Sequence, residues 1–549
     1  MSKRTKITGL ALALAALPAM AQVTMTGTVQ SDWLVPQEDT QMGTGHYDSK
    51  VMTNSYAEAH LSSNVLRAGL RLEYLQYPLP GYEKDFKGWG LGMVYLQGRT
   101  KHVEFTAGNF YDQFGSGLIF RTYENRSLGV DNSLMGLRAL VKPIDGITLK
   151  VLGGAQRHYW EYNSGIVSGA DLELNMEQWL KGLNQKNMFW TLGVSAVNNY
   201  SPVDEENPLV VRTLTETDQL GMPHIYRESL NLPSNVQAYD FRTTFQAGEF
   251  SLLGEYAIKS HDPSYDNNYT YQHGNAVLVS GSWSRKGVSG LLQFKRSEDM
   301  SYRSDRTVTG TSSTINHMPA FAMQHTYALA ALYPYATQMA GGEYAFQTEW
   351  SYNIPKKTIL GGRYGTMLQL HISHIRGLDD RLYYQDANLQ MSHKFSKVFK
   401  LNAMYMYQKY NKRVIEGEGD MINSHIIVLD GRFTLSRKVT LRAEAQCLLT
   451  QQDQGNWWYG MLEMSLQPHW MITLSDMYNA NCPNYLADGS EDGTTSKRHY
   501  WQALLTWTQG SHRLQAGYAV TRAGFNCAGG VCRYVPASKG VKVSYAYSF

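Results

Sequence analysis

Apolar and polar residues alternate with a period of two along most of this chain. In the closing stretch GVKVSYAYSF, Val541, Val543 and Tyr545 fall on one face, whereas Lys542 and Ser544 fall on the other. A period of two indicates a β-strand, because successive side chains of a strand point to opposite faces. The same alternation recurs in VTLRAEAQCLL, FKLNAMYMY and HRLQAGYAV, so the pattern predicts an all-β chain.

The predicted strands are joined alternately by short turns and by long polar loops. AGE (247–249), RKG (285–287) and QGS (509–511) are examples of the short turns. A soluble sandwich gives the same alternation of faces, but it does not need to sort its connections by length. Barrels of the bacterial outer membrane do, with short periplasmic turns and longer extracellular loops. We therefore predict a large antiparallel transmembrane β-barrel of about 24 strands, with a range of 20–26.

The N-terminus has the pattern of a secretory signal peptide. MSKRTKITGLALALAALPAMAQ begins with basic residues, continues with an apolar run over 10–17 and ends in a small-residue cleavage site. This pattern predicts removal of residues 1–21 and export of residues 22–549, which form the barrel with its long extracellular loops, to the bacterial outer membrane. The first strand is expected within 23–35, which leaves no plug domain and argues against a TonB-dependent transporter.

Composition agrees with a membrane barrel and excludes several other classes. Tyr and Trp are abundant, at 37 and 12 residues, while the mean hydropathy is −0.37 and no apolar run is long enough for a membrane helix. Removal of the three basic residues of the signal segment reduces Lys+Arg from 50 to 47, which equals the 47 Asp+Glu. A nucleic-acid binder needs a basic surplus, so no nucleic-acid partner is expected.

The segment YDQFGSGLIFRTYENRSLGVDNS (111–133) breaks the alternation and is expected to be an extracellular connection. Its many apolar side chains gain free energy on leaving water, which favours folding against the barrel wall. Three interpretations stay open: an extended hairpin above the membrane, a constriction of the lumen, or a partner-binding surface. The candidate lumen residues are Tyr111, Asp112, Gln113, Phe114, Arg121, Tyr123, Glu124, Arg126, Asp131 and Arg138.

A second anomalous segment is HMPAFAMQHTYALAALYPYATQ (317–338). Proline is tolerated in the first turn of a helix and disrupts its interior, so Pro319 and Pro334 bracket a predicted short helix. We expect the helix to pack within or over the pore mouth; a cap of loop on loop with no transport role is the alternative. The candidate helix residues are Met323, Gln324, His325 and Tyr327.

The remaining candidate chemistry is sparse. Cys527 and Cys532 in NCAGGVCR are close enough in sequence to form a disulfide in an oxidising compartment, where it would shape the last long loop. His371 and His374 are three apart on a strand and so point to opposite faces. No catalytic motif such as GxSxG or HExxH is present, so we predict neither an enzyme nor a cofactor or metal site.

Three stretches together resemble a family of Bacteroidota outer-membrane barrel proteins with a domain of unknown function. They are GNFYDQFGSGLIFRTYENRSLGVDNSLMGLR (108–138), PAFAMQHTYALAALYPYATQ (319–338) and CAGGVCRYVPASKG (527–540). The resemblance runs from the first quarter of the chain to its end. It implies a fold and a location, and it implies that the anomalous segments are working parts of the family, without a substrate or catalytic residues.

These patterns predict an outer-membrane pore or transport protein whose lumen is narrowed by inward-folded loops. A barrel of this width cannot be filled by wall side chains alone. The expected partners are outer-membrane lipid and an unidentified solute or polymer. The alternative is a non-conducting subunit of an outer-membrane secretion or surface-export complex, with another outer-membrane protein as its partner. An enzyme built on a barrel is a third and weaker interpretation.

Overall fold

The computed structural model of the chain describes residues 23–203, 210–217, 223–308, 310–486 and 488–549. Strands dominate the described residues because the alternating stretches extend and pair with one another. Their bounds are Thr24–Pro36 (β1), Met52–Ser62 (β2), Leu66–Leu75 (β3), Gly88–Arg99 (β4), Val103–Phe110 (β5), Glu124–Asn125 (β6), Val130–Asp131 (β7), Leu134–Val141 (β8), Ile147–His158 (β9), Glu161–Tyr162 (β10), Ile166–Asn175 (β11), Met188–Tyr200 (β12), Val210–Thr217 (β13), Pro223–Ser229 (β14), Asn235–Ala247 (β15), Phe250–Lys259 (β16), Gly274–Arg285 (β17), Val288–Glu298 (β18), Glu343–Ile354 (β19), Thr366–Gly377 (β20), Leu382–Lys394 (β21), Phe399–Asn411 (β22), Met421–Thr434 (β23), Val439–Leu449 (β24), Trp457–Leu466 (β25), Trp470–Tyr485 (β26), Glu491–Gln509 (β27), His512–Thr521 (β28), Gly524–Ala528 (β29), Val531–Val535 (β30) and Ser538–Ser548 (β31).

Helices are few and short among the described residues. None of them is long and apolar enough to cross a membrane. The α-helices are Lys181–Gln185 (α1) and Lys412–Glu416 (α2), and the 3-10 turns are Thr40–Met42, Lys84–Phe86, Met176–Gln178 and Tyr265–Asn267.

The long strands form one closed antiparallel barrel of 24 strands. Strands β6, β7, β10, β13, β14, β29 and β30 are short or lie in the connections. The first and last strands close the ring: Thr28 of β1 pairs with Ser548 of β31. The amide of Gly27 also donates a hydrogen bond of 2.9 Å to the carbonyl of Phe549. The predicted all-β class, antiparallel pairing and strand number are therefore confirmed.

The two faces of the wall differ as the alternation predicts. On β3, Leu72 and Tyr74 are 52% and 47% exposed, whereas Arg71 and Glu73 are 2% and 5% exposed. An outward apolar face with an opposite polar face is the pattern of outer-membrane barrels. The same outward exposure is found for Leu137, Val194, Phe241, Leu292, Leu389, Leu429, Leu462 and Leu474.

Connections at the two ends of the barrel differ in length. One end has tight turns at 286–287 and 510–511, where Gly287 and Gly510 adopt positive φ angles of 85° and 56°. Tight hairpins favour such angles, and glycine adopts them without steric cost. The opposite end carries the long connections, among them 111–133 and 299–342.

Two sequence predictions fall partly or wholly outside the described residues. The predicted signal peptide at 1–21 is one of them. The long connection near 201–234 is the other, and its described part contains the hairpin of β13 and β14. The absence of a plug domain stays a prediction.

Candidate functional site

The first segment, residues 111–133, has an apolar centre that is shielded from water. Phe114, Leu118, Ile119 and Phe120 have no exposed surface, and the ring centroids of Phe114 and Phe120 are 5.0 Å apart. A tight turn brings these residues together, because the amide of Phe114 donates to the carbonyl of Phe120 at 3.1 Å. The segment is therefore a small packed unit and not an exposed hairpin arm.

Gly115 allows this turn to approach the barrel wall. Its φ angle is 51°, and a Cβ atom there would lie 2.5 Å from the Glu255 carboxylate. The neighbouring amide of Ser116 donates to Glu255 Oε1 at 3.1 Å. A side chain at position 115 would therefore strain the backbone and displace the wall carboxylate.

Asp112 and Gln113 contact a different part of the wall. Lys150 of β9 donates to Asp112 Oδ1 at 3.2 Å and to the Gln113 carbonyl at 3.1 Å. Arg138, which lies on β8 itself, pairs with Asp112 and reaches Glu104 at 2.6 Å. These contacts tie the start of the first segment to the strands that flank it.

The end of the first segment enters a cluster of buried charges. Asp131 pairs with Arg71 of β3 and with Arg157 of β9, the latter at 2.5 Å, and accepts a hydrogen bond from Tyr111 at 2.9 Å. Glu73 accepts from Arg157 at 2.7 Å. Buried charges cost free energy unless they are paired in this way. We call Tyr111, Asp131 and these three wall residues the charge cluster.

Burial and pairing in the charge cluster shift the pKa values of Asp131 and Tyr111. Burial opposes the charged form of Asp131, but the guanidinium groups of Arg157 and Arg71 hold its pKa below its ordinary value. Burial and the Asp131 carboxylate together raise the pKa of Tyr111 well above its ordinary value. In the charge cluster, Tyr111 therefore stays a protonated phenol that donates a hydrogen bond, and Asp131 stays a charged carboxylate that accepts it.

Further predicted residues of the first segment lie beside the charge cluster. Arg126 donates to Glu124 at 2.6 Å, pairs with Glu58 of β2 and stacks 4.3 Å from the Tyr56 ring centroid. Elsewhere in the segment, the Arg121 guanidinium lies 4.8 Å from the centroid of the Tyr123 ring. Tyr111, Asp112, Gln113, Glu124, Arg126 and Asp131 thus contact wall side chains, and Arg138 is itself a wall residue.

The second segment, residues 317–338, contacts strands farther around the ring. Lys295 of β18 binds Glu343 of β19 at 2.7 Å and the carbonyl of Pro319 at 2.6 Å, and both charged groups are fully buried. The amide of Leu329 donates to Gln446 of β24 at 2.8 Å. Polar wall residues thereby satisfy backbone groups of an otherwise apolar segment.

The predicted helix in this segment is wrong. The structure has no helix between β18 and β19 in the residues that it describes. Within 317–338 the amide of Ala331 donates to the Tyr327 carbonyl at 3.0 Å, which forms a turn. Phe321, Leu329 and Tyr335 are buried, so most of the segment is surrounded by wall and loop. Its backbone amides donate to side chains such as Gln446 and do not form the regular hydrogen bonds of a helix.

The four candidate helix residues nevertheless face polar groups. Tyr327 lies 3.3 Å from the Asp430 carboxylate, and burial together with this carboxylate raises the pKa of Tyr327 to about 12. His325 lies 3.7 Å from Asp386, whose carboxylate is 3.3 Å from His371. Met323 accepts weak contacts from Asn388 and Gln390, both at 3.7 Å, and Gln324 donates to the Cys527 carbonyl at 3.0 Å.

A C-terminal hairpin, residues 524–535, lies between the two segments. Its strands β29 and β30 are joined by a disulfide between Cys527 and Cys532. The side chain of Asn526 donates to the Ser127 carbonyl of the first segment at 3.1 Å. The amide of Thr337 in the second segment donates to the Gly530 carbonyl at 3.0 Å.

The first and second segments also contact each other. The amide of His317 donates to the Gly117 carbonyl at 2.9 Å. Just before the second segment, the Ile315 carbonyl accepts from the amide of Arg121 at 2.8 Å. Burial and the nearby Arg121 and Lys295 charges lower the pKa of His317 to about 3. The three loop elements therefore form one connected body, which we call the loop cluster.

Sequence reasoning missed the wall partners of the loop cluster. Arg71 and Glu73 are two apart in GLRLEYL (69–75) and so share a strand face, which is a detectable signal for paired charges. The partners Arg157, Lys295 and Glu343 come from other strands, and nothing in one sequence indicates that they meet. Among the described residues, no group of three or more His, Cys, Asp or Glu side chains is arranged to hold a metal ion.

A closed barrel with paired charges beneath long loops defines a large β-barrel of the outer-membrane type. The chain belongs to DUF6029, a family of unknown function, which matches residues 1–549.

The solved structures to which this chain is similar include outer-membrane barrels. The P pilus usher PapC translocation pore is 10% identical with a TM-score of 0.44, covering 96% of this chain and 99% of that chain. The siderophore receptor PirA from Pseudomonas aeruginosa is 9% identical with a TM-score of 0.38, covering 96% and 80%. The ferric enterobactin receptor PfeA in complex with BCV-L6 is 7% identical with a TM-score of 0.39, covering 96% and 82%. No curated protein matches the chain, and these similarities assign no function.

Proposed function

We propose that this protein is an outer-membrane pore or transport protein of a Bacteroidota bacterium, and that the loop cluster narrows its lumen. In this proposal the mature protein begins after residue 21, has no plug domain and faces outer-membrane lipid. Its cargo is a solute or polymer that enters through the space left beside the loops.

One observation carries the proposal: wall residues from widely separated strands contact the same loop cluster. Arg71 of β3 and Glu255 of β16 both bind the first segment, and Gln446 of β24 binds the second. Strands so far apart around a closed ring share only the interior. The polar wall face is therefore the lumen side, and the loops that contact it occupy part of the path through the barrel.

Removal of the first segment tests this proposal. Deletion of residues 112–131 joins β5 to β8 through a short turn, and we expect the single-channel conductance in planar bilayers to rise by about twofold or more, because lumen width limits ion flow. Deletion of residues 359–360, which are exposed in the turn between β19 and β20, is the control and should leave the conductance unchanged. Equal conductance in the two deletion variants would contradict the narrowing.

The dense pairing in the loop cluster favours a second candidate function. Lys295 and Glu343 are fully buried, as are the apolar centres of the first and second segments. A body held this firmly is compatible with a barrel that never conducts and serves as a subunit of a secretion or surface-export complex. Silent bilayers from native and deletion variants alike, with stoichiometric co-purification of another outer-membrane protein in mild detergent, would favour this function.

A further inference from the structure

A cavity of about 590 Å³ lies beside the seam at which the barrel closes. It is bounded by β1, β27, β28 and β31 and by part of the C-terminal hairpin. Its volume lies within the range of small-molecule sites in proteins, roughly 300–1,000 Å³. The cavity is therefore large enough for a small organic molecule and much larger than a site for one ion.

Two cationic side chains line this cavity without an acidic partner. Among the described residues, no carboxylate lies within ion-pair distance of Lys542 or Arg522. Arg522 donates instead to the carbonyls of Ala523 at 2.7 Å and Leu332 at 3.5 Å. Burial lowers the pKa of Arg522, and the more distant Glu416 and Asp453 offset this cost only in part. These cations differ from those of the charge cluster, which are all paired.

The lining contains one carboxylate, and neutral groups already engage it. Asp32 accepts hydrogen bonds from Ser544 at 2.5 Å and from Gln30 at 2.8 Å. Asp32 and Lys542 lie on the same face of adjacent strands but are offset by two residues, because Asp32 pairs with Ser544 and Leu34 pairs with Lys542. The formal charge of the lining is therefore positive, and its free donor is the Lys542 ammonium.

The rest of the lining includes an apolar wall. Leu79 and Pro80, from the connection between β3 and β4, face the cavity together with Phe525 and Val535 of the C-terminal hairpin. Such side chains favour a ligand that brings apolar surface out of water. The combination of an unpaired ammonium and an apolar wall differs from a simple ion-binding site.

From this juxtaposition we propose that the cavity binds a small organic anion, with its acidic group at Lys542 and its apolar part against Phe525 and Leu79. This inference rests on the proposed function, since it names the class of cargo that the lumen accepts. Unpaired cations inside a narrow lumen select anions by charge. The apolar wall then distinguishes an organic acid from inorganic phosphate or sulfate.

Binding of benzoate to the full chain in lipid nanodiscs tests this proposal without any need for an open pore. We expect saturation-transfer NMR to detect benzoate but not its neutral analogue benzamide. Inorganic phosphate has no carbon-bound protons to observe, so it is added as a competitor, and we expect it to displace benzoate only weakly. Empty nanodiscs provide the background from partition into lipid. Equal binding of benzoate and benzamide, or binding to empty discs alone, would overturn the site.

Lys542→Gln is the decisive variant, and it should weaken benzoate binding by about tenfold or more, the scale of one lost charged hydrogen bond. Lys539→Gln on the same strand is the matched control, because Lys539 pairs with Asp39 at 3.0 Å and does not line the cavity. Lys542→Arg should retain binding, which guards against a folding defect in the glutamine variant. Equal affinity in the Lys542→Gln and Lys539→Gln proteins would contradict the assignment.

Phe525→Ala tests the apolar half of the site independently. We expect it to weaken benzoate while leaving acetate binding unchanged, because acetate has little apolar surface to bury. A silent planar bilayer combined with Lys542-dependent benzoate binding would overturn the proposed pore and leave this binding site intact. Conduction without Lys542-dependent benzoate binding would overturn the binding site and leave the proposed pore intact.

Discussion

At the scale of residues, the most consequential feature is the burial of ionisable groups under the loops. Asp131, Arg71 and Arg157 are nearly inaccessible to water, and each contacts an opposite charge. Removing one partner of such a group leaves an uncompensated buried charge, which is strongly destabilising. Each of these buried pairs therefore matters more to the stability of the loop cluster than an exposed pair does.

His317 makes this attachment sensitive to acid. Its folded-state pKa of about 3 lies below the ordinary value of histidine. In acid, His317 is therefore protonated when the segment is detached but stays neutral when it is docked, which favours detachment. Stability of the docked state is complete above about pH 6.5 and falls as the pH drops toward the folded pKa, by about 2–3 kcal/mol at pH 4.5. We expect hydrogen exchange in 111–133 and 299–342 to accelerate between neutral pH and about pH 4.5.

His317→Gln should remove this part of the acid response, since glutamine has no charge to gain. His102→Gln, at an exposed turn, is the control and should leave the acid response as in the native protein. If the His317→Gln protein exchanges as fast at low pH as the native chain, another group drives the release.

Residue-level prediction was possible only where a single segment carries the signal. The mixture of apolar, glycine and charged residues in 111–133 indicated a segment that contacts the wall, and Asp112, Glu124 and Arg126 do so. Partners such as Glu255 and Lys150 could not be predicted, because which strand faces a loop depends on how the ring closes. Cavity-lining Lys542 appeared in the sequence only as one polar position in a terminal strand.

At the scale of elements, the period-two alternation predicted the strands correctly, whereas the spacing of the prolines predicted a helix that the structure does not contain. The predicted strand at 23–35 is found at Thr24–Pro36, and the alternating run at 439–447 is found at Val439–Leu449. In 317–338 the prolines are present, but buried side chains from several directions replace the amphipathic pattern that a surface helix needs. Tertiary contacts decided this segment, and a single sequence does not display them.

The C-terminal hairpin is the element whose removal we expect to loosen the loop cluster. The ring closed by Cys527 and Cys532 is short, so its entropic contribution is only about 2 kcal/mol and acts locally. In a Cys527→Ser, Cys532→Ser double variant, peptides covering Ser127, Gln324 and Thr337 should exchange hydrogen faster, because each contacts the hairpin.

The free Cys447, on β24, provides the matched control. Cys447→Ser should leave exchange in the three loop elements unchanged. The disulfide would have a different role if hydrogen exchange in the double variant became faster in the barrel strands, or if it did not become faster in the loops.

At the scale of the whole molecule, the sequence predicted closure and strand number but not the arrangement inside. Closure follows from the lipid face, since every strand edge in hydrocarbon needs a partner. Alternating connection lengths then give an even number of strands. The interior has no such repeating rule, because each loop meets its own set of wall residues.

The lipid face gives a prediction that concerns the entire barrel. Leu389 is exposed near the middle of β21, and Leu389→Arg should destabilise the barrel by about 2–4 kcal/mol, the cost of arginine near the bilayer midplane. Urea unfolding in lipid vesicles, followed by tryptophan fluorescence, measures this change.

Gln390→Arg, on the adjacent inward position, is the control. Gln390 contacts Asn388 and Met323, so its face is polar and a charge there should cost far less. Equal destabilisation by the two arginines would mean that the assignment of inside and outside is wrong.

The position of the C-terminal hairpin has a consequence for biogenesis. The hairpin touches Ser127, a residue 399 positions before Asn526 in the chain, and so the part synthesised last completes the packing of a part synthesised early. A polypeptide that ends before this hairpin has most of its barrel strands but lacks the contacts that complete the loop cluster. Such a polypeptide also lacks β31, so the same missing C-terminal part leaves the loop cluster incomplete and the ring open.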